Sequence, residues 1–256
     1  MTQIRVAVVG PNGRMGATLV ELVHDHDRAV VAAKVIPAGE QGGQLLEDVD
    51  PRSVDVMIDF SHRVAVQDHA HWCATHGVSW VLGTTGLTSQ DENAVDKAAE
   101  RSLVFRASNF SVGVALLNDL AAKASRVLGT DADVEIVESH HHHKHDAPSG
   151  TALTLAETVA TARGQVLSEV VTHGRSGLIG ARPRGEIGMH ALRLADVVGR
   201  HELHFGWGNE GLVITHEARD RRVFAAGALR AALWCVQAKA AGRSAGLVGM
   251  TDLLKD

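Results

Sequence analysis

In the first part of the chain, short β-branched runs alternate with segments whose apolar residues recur every three or four positions. The runs are typical of buried parallel strands, and the periodic segments of amphipathic helices. We therefore expect an α/β domain with a parallel sheet. The predicted strands are Ile4–Val9, Ala29–Val35, Val54–Phe60, Val78–Leu82 and Leu103–Ala107, and the predicted helices are Val64–His76, Gln90–Arg101 and one that begins near Met15.

The middle of the chain is predicted to be richer in strands, because its apolar residues alternate or form short runs. A helix with apolar positions at Leu153, Leu155, Ala156 and Val159 is expected among them. The predicted strands are Asp133–Glu138, Glu186–Leu194, His201–Phe205 and Leu212–His216.

The composition narrows the class of protein. The chain has 256 residues, a length typical of two domains, and its 45% hydrophobic and 21% charged residues exclude a disordered or collagen-like chain. A net charge of −5 argues against a nucleic-acid partner, and the lack of a long apolar stretch argues against a membrane span. Two distant cysteines, Cys73 and Cys235, fit a reducing, cytoplasmic location without disulfides.

A glycine-rich segment, Gly10 to Gly16, follows the first predicted strand and leads into a helix. Glycines at such a turn let a phosphate approach the backbone, and the free N–H groups of the helix start bind the anion. The spacing G-x-x-G-x-x-G differs from the common G-x-G-x-x-G, so a tight turn without a ligand is the alternative. The position between strand and helix favours dinucleotide binding.

The ends of the other predicted strands point to the same crevice. The turn Gly83–Gly86 follows the fourth strand, although its composition also fits an ordinary polar turn. Because the carboxyl ends of parallel strands line the ligand crevice, Gly10, Phe60, Gly83 and Ala107 are expected to converge.

The end of the second predicted strand lacks the acid that usually binds the ribose hydroxyls of a dinucleotide, since no acid occurs between Ala29 and Glu40. Lys34 and Arg14 are instead available for a 2′-phosphate. We therefore expect NADPH to be used at least as well as NADH.

Residues 139–151 carry five histidines and Lys144 between a predicted strand and a predicted helix. A solvated loop, a metal site and a catalytic anion-binding loop are the three interpretations. No H-E-x-x-H motif occurs and neither cysteine is near, which disfavours a metal site. Ser149–Thr151 opens a helix, Lys144 adds a positive charge, and a histidine can deliver a proton. The expected substrate is a small dianion or polyanion that is reduced and protonated.

The segment Glu138–Ala152 resembles the signature E-x-H-H-x-x-K-x-D-A-P-S-G-T-A of the 4-hydroxy-tetrahydrodipicolinate (dihydrodipicolinate) reductases of bacterial lysine biosynthesis, and every fixed position is present. Further segments resemble that family's G-x-x-G-R-M-G loop, G-T-T-G turn, A-x-N-F-S segment and C-terminal helix. These segments are 10–16, 83–86, 107–111 and 224–234, and they span nearly the whole chain in the family's order.

The resemblance implies an α/β enzyme with a Rossmann-like dinucleotide-binding domain and an α+β domain with a mixed open sheet. The first would comprise 1–111, with 221–256 returning to it. The second, 112–220, would bind a small dicarboxylate substrate and build a homotetramer. The implied reaction is NAD(P)H-dependent reduction of 4-hydroxy-tetrahydrodipicolinate with loss of water.

The resemblance also implies roles for individual residues. His140 would be the catalytic acid, and Lys144 a second proton donor or charge stabiliser. His141 would contact one substrate carboxylate, and Ser149, Gly150 and Thr151 would hold the other. The implied cofactor-binding residues are Gly10, Pro11, Asn12, Gly13, Arg14, Met15, Gly83, Thr84, Thr85, Ala107, Ser108, Asn109 and Phe110. Lys34 and Arg221 are also expected to bind the cofactor.

Two departures limit the match: the family's acid after the second strand is replaced by Ile36, and the connection from Pro37 to Val54 is short. His142, His143 and His145 fall at variable positions, where solvated loop residues are expected. A reductase of another small dicarboxylate or imine, and a non-catalytic nucleotide or metal sensor, are the alternative functions.

Overall fold

The chain divides into two compact units, and the computed structural model describes residues 3–255. One unit comprises the residues up to Val112 and those from Arg222 onward, and the other comprises Gly113–Arg221. These limits lie one residue from the expected domain bounds. The binding roles expected for each unit stay predictions.

The strands and helices are as follows. The strands are β1 (Ile4–Val9), β2 (Ala29–Val35), β3 (Val56–Asp59), β4 (Ser79–Leu82), β5 (Leu103–Arg106), β6 (Asp133–His140), β7 (Val171–His173), β8 (Ile187–Arg193), β9 (Gly199–Trp207), β10 (Glu210–Ala218) and β11 (Gly246–Val248). The α-helices are α1 (Arg14–His24), α2 (Val66–His76), α3 (Ser89–Ala99), α4 (Val112–Leu128), α5 (Gly150–Ala162), α6 (Leu167–Val170), α7 (Arg222–Ala240) and α8 (Met250–Leu253).

The first unit contains a parallel six-stranded sheet in the order β11-β5-β4-β3-β1-β2. The predicted parallel α/β architecture is confirmed. From β1 the chain moves outward to β2 and then returns to the other side of β1 as β3. Ligands of open α/β sheets bind beyond the carboxyl ends of the strands at such a reversal. The edge strand β11 is too short for a periodic signal and was not predicted.

Both faces of this sheet are covered by helices, which explains why its strands are apolar on both sides. Helices α1 and α7 cover one face, and α2 and α3 cover the other. The packing of α7 depends on Gly227, because a Cβ there would lie 1.8 Å from the carbonyl oxygen of Phe110. Helix α7 therefore packs directly against the segment that follows β5.

The second unit contains a mixed five-stranded sheet in the order β10-β9-β6-β8-β7. Strand β6 pairs antiparallel with β9 and parallel with β8. Its core joins one face of the sheet to α4 and α5. The predicted mixed sheet is confirmed.

Two local expectations were wrong. Strand β6 continues to His140, so this histidine ends a strand instead of lying in the following loop. The strand extends because Ser139 and His140 pair with Leu192 and Arg193 of β8. Leu153 was expected on the apolar face of α5, but its side chain is 42% exposed, whereas Leu155, Ala156 and Val159 are fully buried.

Within residues 3–255, no helix has the length and apolar character needed to cross a membrane. Cys73 and Cys235 are both buried free thiols. Burial raises the pKa of Cys235 to about 12, so this thiol is unreactive near neutral pH.

Candidate functional site

The alternation of side chains along β6 gathers four polar groups on one face of the second sheet. Glu138 and His140 are two residues apart on the strand, so their side chains point to the same face. His201 of β9 lies directly opposite Glu138, and Arg193 of β8 lies directly opposite His140. The same face carries α5. The end of β6 therefore forms a polar cluster where the apolar core of this unit stops.

Glu138 is the centre of this cluster. Its side chain is 1% exposed. Its Oε2 accepts from His140 Nδ1 at 2.5 Å, and its Oε1 accepts from the backbone N–H of Ser149 at 3.1 Å. Arg193 donates to both carboxylate oxygens at 3.1 Å. Burial acts to raise the pKa of Glu138, but the hydrogen bonds from Arg193 and His140 outweigh it and lower the pKa. The carboxylate is therefore ionised at neutral pH.

One ring nitrogen of His140 is bound by Glu138, and the other faces Gly199. With Nδ1 bound to Glu138, its Nε2 faces Gly199, where a Cβ would lie only 3.2 Å away. The ring packs edge-on against His201, with centroids 5.2 Å apart. The His140 side chain keeps 12% of its surface exposed. This arrangement suits a residue that transfers a proton through Nε2.

Ser149 holds the start of α5. Its Oγ accepts from the N–H of Ala152, which caps the helix, and it also contacts His201 Nε2 at 3.2 Å. The residue is 2% exposed, so its hydroxyl is engaged inside the protein, and its expected role in holding a substrate carboxylate stays a prediction. The surface at this helix start is formed by Gly150 and Thr151. Apart from adjacent residues and the helix's own backbone, no atom lies within 4 Å of where a Cβ of Gly150 would be. Backbone N–H groups at such a position bind anions.

The loop after β6 is anchored to the neighbouring strand connection. His142 is exposed, as expected of a solvated residue, yet its Nδ1 donates to the carbonyl of Ala195 at 2.8 Å. Lys144 forms an ion pair with Asp146 at 2.9 Å. Arg193 also donates to the backbone carbonyl of Asp146 at 2.6 Å. The loop that carries Lys144 is therefore tied to the same arginine that binds Glu138.

His141 lies beside Arg221, which was expected to bind the cofactor. Arg221 Nη2 contacts His141 Nε2 at 3.2 Å. Because an arginine only donates, His141 accepts through this nitrogen and is neutral in this geometry. Burial and the charge of Arg221 lower the pKa of His141, which agrees with a neutral ring. The structure thus places Arg221 at the histidine loop of the second unit.

Metal-binding geometry is absent from this loop. Across residues 3–255, no three His, Cys, Asp or Glu side chains are grouped so that they could hold a metal ion.

In the first unit, the glycine loop has the geometry of a phosphate-binding turn. Gly10 has a φ of +66°, and a Cβ at Gly16 would lie 1.9 Å from the Gly10 carbonyl oxygen, so α1 begins in close contact with the end of β1. Gly13 precedes α1, and no side chain caps the helix. Arg14 opens the helix and is exposed. The helix start is therefore open to an anion, and this loop fits a dinucleotide.

The strand ends converge as predicted. Gly83 lies against Phe60, since a Cβ at Gly83 would be 2.2 Å from that ring. Phe60 also contacts Phe110, with ring centroids 5.3 Å apart. The amide of Ala107 donates to Leu82 O at 3.3 Å. The carboxyl ends of β1, β3, β4 and β5 thus lie together.

A buried carboxylate also supports this edge of the first sheet. Asp59, the last residue of β3, is fully buried and contacts His69 Nδ1 at 2.7 Å. It accepts from Ser61 and from Thr84 Oγ1, the latter at 3.2 Å. Burial acts to raise the pKa of Asp59, but the contact with His69 outweighs it and lowers the pKa. The side chain of Thr84 is therefore held by this buried carboxylate, whereas Thr85 is exposed.

The connection after β2 brings an acid to the glycine loop. Ile36, at the position where an acid was expected by resemblance, is 6% exposed and packs inside. Lys34 is exposed on β2. The chain then turns back, and Glu40 accepts from Asn12 Nδ2 at 2.7 Å.

Sequence reasoning assigned no function to Glu138, Arg193, His201, Asp59 or Glu40. One signal was available, because Glu138 and His140 alternate along a predicted strand and therefore share a face. The partners on β8 and β9 lie 55 and 63 residues from Glu138, and no local pattern specifies that pairing.

The chain matches the sequence profiles of two domains of one family. Residues 4–110 match "Dihydrodipicolinate reductase, N-terminus" and residues 113–254 match "Dihydrodipicolinate reductase, C-terminus". Two curated proteins named 4-hydroxy-tetrahydrodipicolinate reductase are similar over nearly the whole chain. The protein from Psychrobacter arcticus is 42% identical and covers 98% of this chain and 95% of its own length. The protein from Pseudomonas fluorescens is 44% identical and covers 98% of each.

Solved structures agree with the fold. A dipicolinate-bound dihydrodipicolinate reductase from Paenisporosarcina sp. TG-14 superposes with a TM-score of 0.79 at 26% identity, covering 97% of this chain and 98% of that chain. A DAP dehydrogenase from C. glutamicum superposes with a TM-score of 0.59 at 12% identity, covering 98% of this chain and 93% of that chain, and shows similarity of fold alone.

His201 makes the stability of the protein sensitive to acid. Burial lowers the pKa of His201 to about 4 from 6.5, and the charge of His140 acts in the same direction. The unfolded chain therefore binds a proton more readily, and stability is lost as the pH falls from 6.5 to 4. The loss from this residue is about 3 kcal/mol.

We expect the free energy of unfolding in urea to fall less steeply between pH 6.5 and 4 in His201→Gln than in the wild type. His173→Gln, which changes an exposed histidine of the same unit, is the control and is expected to keep the wild-type slope. Equal slopes for all three proteins would contradict a buried neutral His201.

Proposed function

Because the chain belongs to the dihydrodipicolinate reductase family, we propose that it reduces 4-hydroxy-tetrahydrodipicolinate to tetrahydrodipicolinate with NAD(P)H and releases water, in lysine and diaminopimelate biosynthesis. The observation that carries the proposal is the arrangement of His140, Lys144 and the start of α5 within one unit. This arrangement offers a proton, a positive charge and backbone N–H groups to one small dicarboxylate.

The residues of the second unit have separate roles in the reaction. The substrate is a ring with two carboxylates, and its hydroxyl leaves as water to give a conjugated C=C–C=N system. The start of α5, at Gly150 and Thr151, binds one carboxylate, and His141 contacts the other. His140 supplies the proton that completes the reduction, and Lys144 offsets the negative charge that develops on the ring.

The residues of the first unit hold the dinucleotide. Bound NAD(P)H supplies a hydride to the substrate. The open start of α1 binds its pyrophosphate, and the glycines permit the close approach. The segments 83–85 and 107–110 lie at the same edge of the sheet and complete the binding surface. Arg221 as a cofactor ligand and a cytoplasmic location stay predictions.

The reaction is tested by coupling the purified protein to the preceding synthase, with pyruvate and aspartate semialdehyde as starting materials. Synthase-dependent loss of absorbance at 340 nm is expected.

His140→Ala should lower kcat about 100-fold or more, the usual scale for a general acid, and leave cofactor affinity nearly unchanged. His145→Ala, at an exposed loop residue, should keep activity within about twofold.

Cofactor binding without turnover would identify a sensor, and oxidation that occurs only with another dicarboxylate or imine would identify a different reductase. Normal turnover by His140→Ala would remove this residue from the role of proton donor.

We also propose that NADPH is used at least as well as NADH. The buried Ile36 offers no carboxylate to the ribose hydroxyls. Lys34, near the carboxyl end of β2, and Arg14, at the start of α1, are both exposed. Lys34→Ala should lower kcat/KM for NADPH about tenfold and leave that for NADH nearly unchanged, because one charge-assisted contact is lost. Lys97→Ala, at an exposed position of α3, is the control for net charge. A large preference of the wild type for NADH would contradict the proposal.

The second sheet supports the proposed homotetramer. Helices cover one of its faces, and the other exposes apolar side chains, with Leu192 at 44% and Val213 at 54% exposure. Light scattering should give four times the chain mass of 27.1 kDa. Val213→Asp should dissociate the assembly, whereas Val64→Asp, at an exposed site of the first unit, should not. A monomeric wild type would exclude the tetramer.

A further inference from the structure

We infer that Glu138 is a positioning residue that sets, through one carboxylate, both the protonation of His140 and the start of the helix that binds the substrate. This inference deepens the proposed function and rests on it. It starts from the division of contacts between the two carboxylate oxygens. Oε2 serves His140, and Oε1 serves the backbone of Ser149.

The contact between Glu138 and His140 determines which ring nitrogen carries the proton. An ionised carboxylate only accepts, so His140 must donate through Nδ1. The proton that can be transferred is therefore the one on Nε2, at the end of the ring next to Gly199. The doubly protonated ring is also matched by a negative charge in a buried setting, where water cannot supply the compensation.

The second oxygen fixes the helix start. The Glu138–Ser149 hydrogen bond spans 11 residues and joins the end of β6 directly to the residue that caps α5. Arg193 binds the same carboxylate and the backbone of Asp146, so the intervening loop is clamped at both ends. The carboxylate of Glu138 thus holds both the proton donor, His140, and the turn at the start of α5.

Replacing Glu138 by glutamine separates these two effects. The amide has one accepting oxygen, and the Ser149 N–H and Arg193 together present several donors to it. The amide NH2 then faces His140 Nδ1, which must accept. Neutral His140 is thereby converted from the Nδ1–H to the Nε2–H tautomer, and the doubly protonated ring meets a donor instead of a carboxylate.

We expect Glu138→Gln to lower kcat about 100-fold, the scale of general acid catalysis, while KM for the substrate stays within about threefold. Glu138→Ala should also raise KM, because the Ser149 contact is lost as well. Glu135→Gln is the matched control, since Glu135 lies on the same strand and binds His190 and Arg175, but on the opposite face. Its kcat should stay within about twofold of the wild type.

The tautomer is measured independently of activity by solid-state 15N NMR on protein labelled at histidine, with His140→Asn to assign the signal. At pH 8 the wild type and Glu135→Gln should show His140 protonated at Nδ1, and Glu138→Gln should show it unprotonated there. An unchanged tautomer in Glu138→Gln, or equal losses of kcat in the two glutamine variants, would overturn the inference. A tautomer change in a protein that lacks reductase activity would support the positioning role and refute the proposed function.

Discussion

The second unit depends on a buried carboxylate that must remain charged. Taking Glu138 out of water costs several kcal/mol unless hydrogen bonds replace the lost solvation. The fold meets this requirement with four donors, from Arg193, His140 and the backbone of Ser149. These donors come from a neighbouring strand, from β6 itself and from a helix start. Satisfying one charge therefore fixes the relative positions of the groups that we propose act on the substrate.

The first unit uses a similar device. Asp59 is buried at the end of β3 and holds His69, Ser61 and Thr84. In both units a buried acid at the end of a central strand supports a polar turn above an apolar core. Glycine also shapes the first unit. Helix α1 begins so close to Gly10 that no side chain fits at residue 16. Each proposed binding surface is thus shaped by a buried acid beneath it.

The sequence predicts most of the first unit, because buried strands and amphipathic helices leave periodic signals and glycines mark the turns. The second unit is less predictable. Pairing with β8 extends β6 to His140. The alternating apolar pattern of the sequence ends at Glu138 and therefore does not predict this extension. The contacts of Arg193 and His201 depend on strand order, and the return of Glu40 to Asn12 depends on a loop. Long-range pairing, rather than local propensity, determines the site.

The most direct test of this account is a crystal structure of the protein with pyridine-2,6-dicarboxylate, an unreactive planar dicarboxylate. We predict one carboxylate on the backbone N–H groups of Gly150 and Thr151, with the ring within hydrogen-bond reach of His140 Nε2 and with Glu138 still bound to Nδ1. A dicarboxylate bound elsewhere, with the start of α5 and His140 untouched, would contradict the account.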